Sequence, residues 1–420
     1  EGSHGALNPV FAAIRKLPSS PLRAPLEVGY QRELLVNNEK FLTGQAAGLS
    51  NGVNELDPML LPEHIRKRIL LIEEVINFPT SLLSHRNYHW ENLPLVPYSD
   101  LTGAVSSLVE KGEKVVIITG FYVPVGDPPA TETDGPPGAL TLAEGLRYLG
   151  MEVSLLSDEY TLSALKAGFK VLNLSEKEIP IICFPLEHSD QNHTSRMMNE
   201  EDESSISIRF TQDFFHSLWG QGLTHLVYIE RVGPNHTVHS FLAQERQEKP
   251  PSKEFEMILP PQIRNRCFSS RLEDITRFTA KTHFLLELAE RSNFPIESIG
   301  IGDRGNEIGA GKIPWEVFKQ NYSTHREAVF CCRVKTDYLI SCGISNWGGY
   351  ALLAGVALAM GRLDILKKMT PAQEGAVLDY LVRHGPAIDG MTCKQDHSVD
   401  GIEFEDYIKV IERIKEIALE

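Results

Sequence analysis

Apolar residues occur in short continuous runs that alternate with segments of helical spacing over most of the chain. The run Lys114–Thr119 (KVVIIT) is almost wholly apolar and β-branched, which is typical of a strand buried on both faces. The segment Ala139–Leu149 has helical spacing, and the short apolar run Glu152–Leu156 follows it. This order predicts a βαβ unit with a long first connection.

The alternation continues to the end of the chain and predicts an α/β fold. We expect a mostly parallel sheet with helices on both faces, in Rossmann-like layers. Further strands are predicted at Ile179–Phe184, Leu226–Ile229, Ile299–Ile301, Ala328–Val334 and Tyr338–Ser341. Helices are predicted at Pro62–Asn77, Thr211–Trp219, Leu272–Arg291, Asn346–Met360 and Glu403–Leu419.

Three regions depart from this alternation. Residues 1–61 are irregular and rich in turn residues, and we expect an N-terminal helical or irregular arm or linker, whose first five residues look like a cloning remnant. Residues 62–420 are predicted to form one α/β domain. Two polar segments near 188–207 and 232–253 are expected to be mobile surface insertions within it.

Composition narrows the range of partners. The formal net charge is −15 and no basic cluster occurs, so the sequence predicts no nucleic-acid partner and no anionic membrane surface. The longest apolar stretch, Gly348–Gly361, is shorter than the roughly 18 to 20 residues of a membrane-spanning helix, which predicts a buried helix. The six cysteines have no C-x-x-C spacing, so we expect free thiols in a non-oxidising compartment.

Polar residues of the kinds that take part in catalysis or ligand binding follow four of the predicted strands. In open α/β sheets ligands bind at the carboxyl ends of the strands, so the loops there are the first candidates for a site. The candidates are Gly120, Glu132 and Asp134 after the first strand, Glu230 and Arg231, then Asp303, Asn306 and Glu307, and finally Ser345 and Asn346. Each loop alone is explained by a turn or a helix cap. Four on one edge favour positioned acid and base groups.

At these loops the sequence resembles a known family. The segments TGFYVPVGDPPATETDGPPGA, IERVGPN, GIGDRGNEIGAGK and CGISNWGGYAL, in this order, resemble the D-glutamate cyclase family from about Pro62 to the C-terminus. One departure is Arg304, where the family often has glycine. The resemblance implies a lyase that converts D-glutamate to 5-oxo-D-proline and water, in the mitochondrial matrix, with no cofactor required by the chemistry.

The resemblance also implies roles for the candidate residues. Cyclisation needs a neutral amine and a γ-carboxyl group that has lost its charge, so two acidic groups in opposite protonation states serve it. Asp303 and Glu307 are the candidates for acid and base, and Glu132 and Asp134 for binding the ammonium group or sharing the acid role. The substrate-binding candidates are Glu230, Arg231, Asn306, Ser345, Asn346 and Gly120.

Two other functions remain open at this point. A metal-dependent acyl or phosphoryl transferase would hold Mg²⁺ or Ca²⁺ through the carboxylates of Asp134, Asp303 and Glu307. A non-catalytic sensor of a glutamate-like ligand would use the same cleft without turnover. The sequence leaves the oligomeric state open.

Overall fold

The computed structural model describes residues 61–77, 79, 82–83, 98–187, 205–246, 252–321 and 325–420. Six strands form its central parallel sheet: β1 (Lys114–Thr119), β2 (Glu152–Ser157), β3 (Ile181–Cys183), β4 (His225–Ile229), β5 (Glu297–Gly302) and β6 (Tyr338–Ser341). Two-residue strands pair outside this sheet, Tyr122–Val123 with Ala130–Thr131 and Ser398–Val399 with Ile402–Glu403.

Helices connect and cover these strands. In chain order they are α1 (Glu63–Asn77), α2 (Leu101–Lys111), α3 (Pro136–Tyr148), α4 (Leu162–Leu172), α5 (Ile206–His216), α6 (Val238–Ala243), α7 (Ser252–Ile258), α8 (His283–Arg291), α9 (Trp315–Asn321), α10 (Arg326–Phe330), α11 (Ser345–Ala359), α12 (Pro371–His384) and α13 (Phe404–Leu419). Short 3-10 helices lie at Pro261–Ile263, Thr276–Phe278 and Leu363–Lys368.

The strand order places a ligand crevice at the centre of the sheet. The order is β3-β2-β1-β4-β5-β6, and Ile118 of β1 pairs with Leu156 on one side and Tyr228 on the other. The chain winds outward in both directions from β1, so the carboxyl ends of β1 and β4 flank the topological switch point, where α/β sheets of this order bind their ligands. The predicted α/β class with a parallel sheet is confirmed.

Each strand contributes to two cores because successive side chains point to opposite faces of the sheet. Ile117 and Ile229 pack into the core that contains α3 and α11, whereas Ile118 and Tyr228 pack into the core that contains α5 and α8. This two-sided burial explains why the strands appear in the sequence as continuous apolar runs.

The apolar stretch near residue 350 is a buried helix, as predicted. Residues 345–358 of α11 are all buried, and the helix packs against α2, α3 and α13. Among the described residues, no helix combines the length and the apolar character needed to cross a membrane.

The strand predicted at Ala328–Val334 is wrong. The first part of that run belongs to helix α10, and the backbone N–H of Cys331 donates to the carbonyl of Glu327, 2.9 Å away. Cys332 forms only an isolated bridge with Asn235, and both neighbouring cysteines are buried. A short apolar run does not by itself distinguish a strand from a buried helical turn. All six cysteines are unpaired.

The helix predicted at Leu272–Arg291 is wrong for its first half. Only α8 is α-helical there, preceded by the 3-10 turn Thr276–Phe278, and Leu272 has a left-handed backbone with φ of 65°. The other predicted helices form with shifted ends.

The polar segment 232–253 is not simply a surface insertion. It contains α6, and Phe241 of that helix is buried against Phe255 and Trp315, with ring centroids 4.4 and 5.4 Å away. The described residues up to 246 thus pack partly against the domain, and the mobility of the segment stays a prediction. The arm at residues 1–60 and most of the other insertion, 188–204, lie outside the described residues.

Candidate active site

Six carboxylates gather at the carboxyl edge of the sheet. They are Glu132, Asp134, Glu230, Asp303, Glu307 and Asp400. Oxygen atoms of Asp134, Asp303 and Asp400 lie within 4.8 Å of one another, and so do oxygen atoms of Glu230, Asp303 and Glu307. Asp303, directly after β5, belongs to both groups and therefore stands at the centre of the cluster.

Asp134 is fixed at the start of helix α11. Its carboxylate accepts from the backbone N–H groups of Ser345, Asn346 and Gly135, at 2.8, 2.7 and 2.9 Å. The first amides of a helix lack partners within the helix and carry partial positive charge, so they bind a carboxylate well. The turn requires Gly135, which has φ of 96° and whose Cβ would lie 2.8 Å from that of Glu230.

Asn346 and Ser345 hold this arrangement together from α11. The side-chain oxygen of Asn346 accepts from the amides of Gly135 and Gly138 at 2.9 and 2.8 Å, and its nitrogen donates to the carbonyl of Thr133 at 3.0 Å. The hydroxyl of Ser345 donates to the Glu230 carboxylate at 2.5 Å. Both residues were predicted to touch substrate, and here their polar groups hold other parts of the site.

The Asp303 and Glu307 side chains form a hydrogen-bonded pair. Glu307 accepts from the backbone N–H of Gly305 at 2.7 Å, and Gly305 has φ of 90°. Asp303 is hydrogen-bonded to Glu307 and also to Asp400. Two carboxyl groups share a hydrogen bond only if one of them carries a proton, so this pair can hold a proton inside the site.

Burial and mutual repulsion raise the pKa values throughout the cluster. Burial away from water is the largest cause for Asp303, whose pKa is raised well above its usual value, and the nearby Glu307 charge adds to it. Burial and Asp400 raise the pKa of Glu132 in the same direction. For Asp134 burial also raises the pKa, but its three backbone N–H donors act against the rise. The site therefore favours protonated carboxyl groups, with Asp134 among the better stabilised anions.

Two members of the cluster have strained backbones. Glu230, directly after β4, has φ of 45°, and Asp400 has φ of 50°. The left-handed region costs an ordinary residue free energy and is found most often where function holds a side chain in place. Both strained residues direct carboxylates to the same site.

Asp400 comes from a loop that sequence reasoning missed. Asp389, which is buried, accepts from the amides of Met391, Thr392 and Gly401 and from the hydroxyl of Ser398, and this holds the turn beside Asp400. The available signal was the pair of Asp-Gly dipeptides at 389–390 and 400–401 in an otherwise polar stretch. Such pairs are typical of ordinary turns, so the signal is weak.

A cleft that is partly open to solvent leads to the cluster. It is lined by Phe121, Val123, Pro124, Glu132, Glu230, Ser269, Ser270, Arg271, Glu273, Asp303, Arg304, Asn306, Gly390, Met391 and Asp400. Asp134 does not line it, and Glu307 instead lines a second, small cavity together with Asp303 and Ser341. Of the four predicted catalytic residues, Glu132 and Asp303 thus face the cleft.

Arg231 and Gly120 lie away from this cleft. The guanidinium of Arg231 is buried and pairs with Asp158 at 2.7 Å. It also donates to the carbonyls of Gly120 and Ala280, at 2.7 and 3.0 Å. Arg304 contacts the cluster instead, with its Nε 3.6 Å from Asp303.

Asn306 lines the cleft and has a hydrogen-bond acceptor without a partner among the described residues. Its side-chain nitrogen donates to the carbonyl of Phe268 at 3.0 Å, whereas its side-chain oxygen is buried and has no hydrogen-bond partner among the described residues. A buried polar atom without a partner is costly, which suits an atom that a ligand completes.

The cluster also contains oxygen donors that suit a divalent cation. The groups Asp134, Asp303 and Asp400, or Glu230, Asp303 and Glu307, could each hold one ion. Hard cations such as Mg²⁺ and Ca²⁺ prefer carboxylate ligands. A cation there would reverse the pKa pattern, since its charge stabilises the ionised carboxylates.

Comparisons with known proteins agree with the resemblance noted in the sequence. The family model described as D-glutamate cyclase-like, C-terminal, matches residues 82–248 and 261–415. The mitochondrial D-glutamate cyclase of Homo sapiens is 28% identical over 244 residues, which are 57% of this chain and 32% of that protein. The match therefore spans about a third of the length of this relative.

Proposed function

Because the chain belongs to the D-glutamate cyclase-like family, we propose that it cyclises D-glutamate to 5-oxo-D-proline with loss of water. The observation that carries the proposal is the set of crowded, buried carboxyl groups around Asp303 at the end of a cleft. A mitochondrial location is part of the proposal and rests on the similarity to the human mitochondrial D-glutamate cyclase.

Asp303 is the proposed acid. A carboxylate is a poor acyl acceptor, so the γ-carboxyl group of the substrate must be neutralised before the amine attacks it. Asp303 faces the cleft, and its raised pKa keeps a proton that it can donate to the departing oxygen. Glu307, behind it, takes the role of a positioning residue that shares this proton.

Glu132 is the proposed base. It faces the cleft, and its carboxylate makes no hydrogen bond to another described residue, so it is open to the substrate ammonium group. The raised pKa of Glu132 makes it a stronger base once ionised. The unpartnered oxygen of Asn306 accepts from the same ammonium group. Glu230, held by Ser345, contributes a further negative charge near it.

The reaction leaves the protonation states of the protein unchanged over one cycle. Two protons leave the substrate nitrogen and two reach the departing oxygen, which leaves as water while the C–N bond forms and the C–O bond breaks. The carboxyl groups pass these protons and end in their starting states. Ring closure is intramolecular, so positioning the extended substrate in the cleft supplies a large part of the acceleration.

The test is a product assay with both enantiomers. The purified chain is incubated with D- or L-glutamate, with heat-denatured protein as a control, and 5-oxoproline is measured by chiral chromatography with mass detection. We expect 5-oxo-D-proline from D-glutamate alone. Binding without product would favour a ligand sensor, and absence of both would refute the proposal.

The two oxygen donor groups favour one second candidate, a metal-dependent acyl or phosphoryl transferase. Metal-stripped protein in EDTA separates the two. Cyclisation that persists in EDTA supports the first proposal, whereas transfer of a phosphoryl or acyl group that returns only with added Mg²⁺ supports the second.

A further inference from the structure

Acidic and basic side chains both line the cleft. Carboxyl groups of Glu132, Glu230, Asp303 and Asp400 form one part of its wall. Arg271 is an exposed residue that lines the same cleft, so its guanidinium lies at the solvent rim. A ligand in this cleft therefore meets carboxyl groups of the cluster together with a permanent cation, Arg271, that is exposed to solvent.

Glutamate has a matching asymmetry while it cyclises. Its γ-carboxyl group loses its charge because one of its oxygens leaves as water. Its α-carboxylate keeps a full negative charge from substrate to product. The γ end therefore suits protonated carboxyl groups, whereas the α-carboxylate needs a cation that never loses its charge, and arginine is such a cation.

Arg271 has hydrogen-bond donors available for this purpose. Its Nη2 donates to the carbonyls of Gly390 and Met391, at 3.0 and 2.9 Å. Among the described residues, its Nε and Nη1 make no hydrogen bond and no carboxylate pairs with it. Arg304 differs, since it contacts Asp303 at 3.6 Å.

We propose that Arg271 binds the α-carboxylate of the substrate and so selects amino acids in which that group is free. This inference rests on the proposed function for the identity of the ligand. Glu273, whose carboxylate accepts from Ser269 at 3.4 Å, lines the same cleft, so Arg271 must bind the α-carboxylate against its repulsion. The orientation follows: the α-carboxylate lies at the rim, and the amine and γ-carboxyl group reach the acidic wall.

The test compares D-glutamate with its α-amide, which keeps the amine and the γ-carboxyl group but lacks the negative charge at the α position. Binding is measured by calorimetry and turnover by product detection. The wild type is expected to bind D-glutamate about 10- to 100-fold more tightly than the α-amide. In Arg271→Gln the ratio of the two affinities should fall to about 1 to 3, because D-glutamate binds more weakly while binding of the α-amide is unchanged.

Two further variants complete the design. Arg271→Lys keeps the charge but loses the planar donors, so it should recover part of the preference. Arg266→Gln removes the same charge from an exposed arginine that pairs with Asp274 and does not line the cleft, so its preference should match the wild type.

A purely structural role for Arg271, through Gly390 and Met391, predicts equal losses for both ligands with the preference intact, and that result would overturn the inference. The same measurements distinguish a failure of this inference from a failure of the proposed function. If the wild type binds D-glutamate selectively but forms no 5-oxoproline, the cyclase proposal fails, and loss of the preference in Arg271→Gln would still support the role of Arg271.

Discussion

Replacing Asp303 by asparagine should abolish most activity while leaving the fold at least as stable. The variant keeps the shape of the side chain but removes the proton that Asp303 is proposed to donate. Turnover of D-glutamate should fall by about 100-fold or more, the usual effect of losing a general acid.

The stability effect follows from the charges around Asp303. Oxygen atoms of Glu307 and Asp400 lie within 4.8 Å of Asp303, so at an effective dielectric constant of about 20 each repels an ionised Asp303 by at least about 3.5 kcal/mol. Arg304, whose Nε lies 3.6 Å from Asp303, attracts the ionised Asp303 by about 5 kcal/mol. The balance is a net repulsion of at least about 2 kcal/mol, so the variant should melt at least about 2 °C higher at a pH where all three carboxylates are ionised.

The pH dependence of stability gives an independent test of whether an ionised Asp303 destabilises the fold. Because the folded-state pKa of Asp303 is raised, the folded chain binds an extra proton between the unfolded value, about 4, and that higher pKa. The free energy of unfolding therefore falls as the pH rises through this window. Between pH 5 and pH 9, the melting temperature of the wild-type protein should decrease more than that of Asp303→Asn.

The assay measures melting temperature by calorimetry and turnover by product detection on the same preparations. Asp406→Asn is the matched control, because Asp406 is also buried but pairs with Lys409 at 2.6 Å outside the cluster. That variant should melt lower and keep its turnover. Near-native turnover in Asp303→Asn at unchanged stability would refute the role of Asp303 and move Glu132 to first place as the acid.

Three further predictions test the arrangement around the cluster. Arg231→Met should lower the free energy of unfolding by about 3 to 5 kcal/mol in urea titrations, since it leaves Asp158 buried and unpaired; a raised KM at native stability would instead support contact with substrate. Asn346→Ala should lower the free energy of unfolding by about 2 to 4 kcal/mol, because the buried amide of Gly138 loses its acceptor and the carbonyl of Thr133 loses its side-chain donor, and an unchanged urea midpoint would contradict this. If the second, metal-dependent candidate is right, added Mg²⁺ should raise the melting temperature of wild-type protein more than that of Asp303→Asn, because Asp303 belongs to both oxygen donor groups; equal shifts would count against a cation site in the cluster.

The sequence by itself determined the layers of the fold and the edge that carries the site. Strands buried on both faces must be continuously apolar, so β1, β2, β4, β5 and β6 could be predicted from their residues alone. Parallel strands bring their carboxyl ends to one edge, so the loops carrying Asp134, Glu230, Asp303 and Asn346 were expected to meet. The error at Ala328–Val334 arose because a short apolar run has no periodicity to separate a strand from a helical turn.

Tertiary structure decided which side chains face the cleft. Arg231 and Asn346 have the residue types of a binding site, but Asp158 and the amides of the TETDGPPG loop already occupy their polar groups. Asp400 and Arg271 join the site from loops with no recognisable motif. The direction of a side chain depends on backbone angles such as the left-handed φ of Glu230 and Asp400. Those angles are stabilised by contacts between residues far apart in the chain, and the order of amino acids does not reveal such contacts locally.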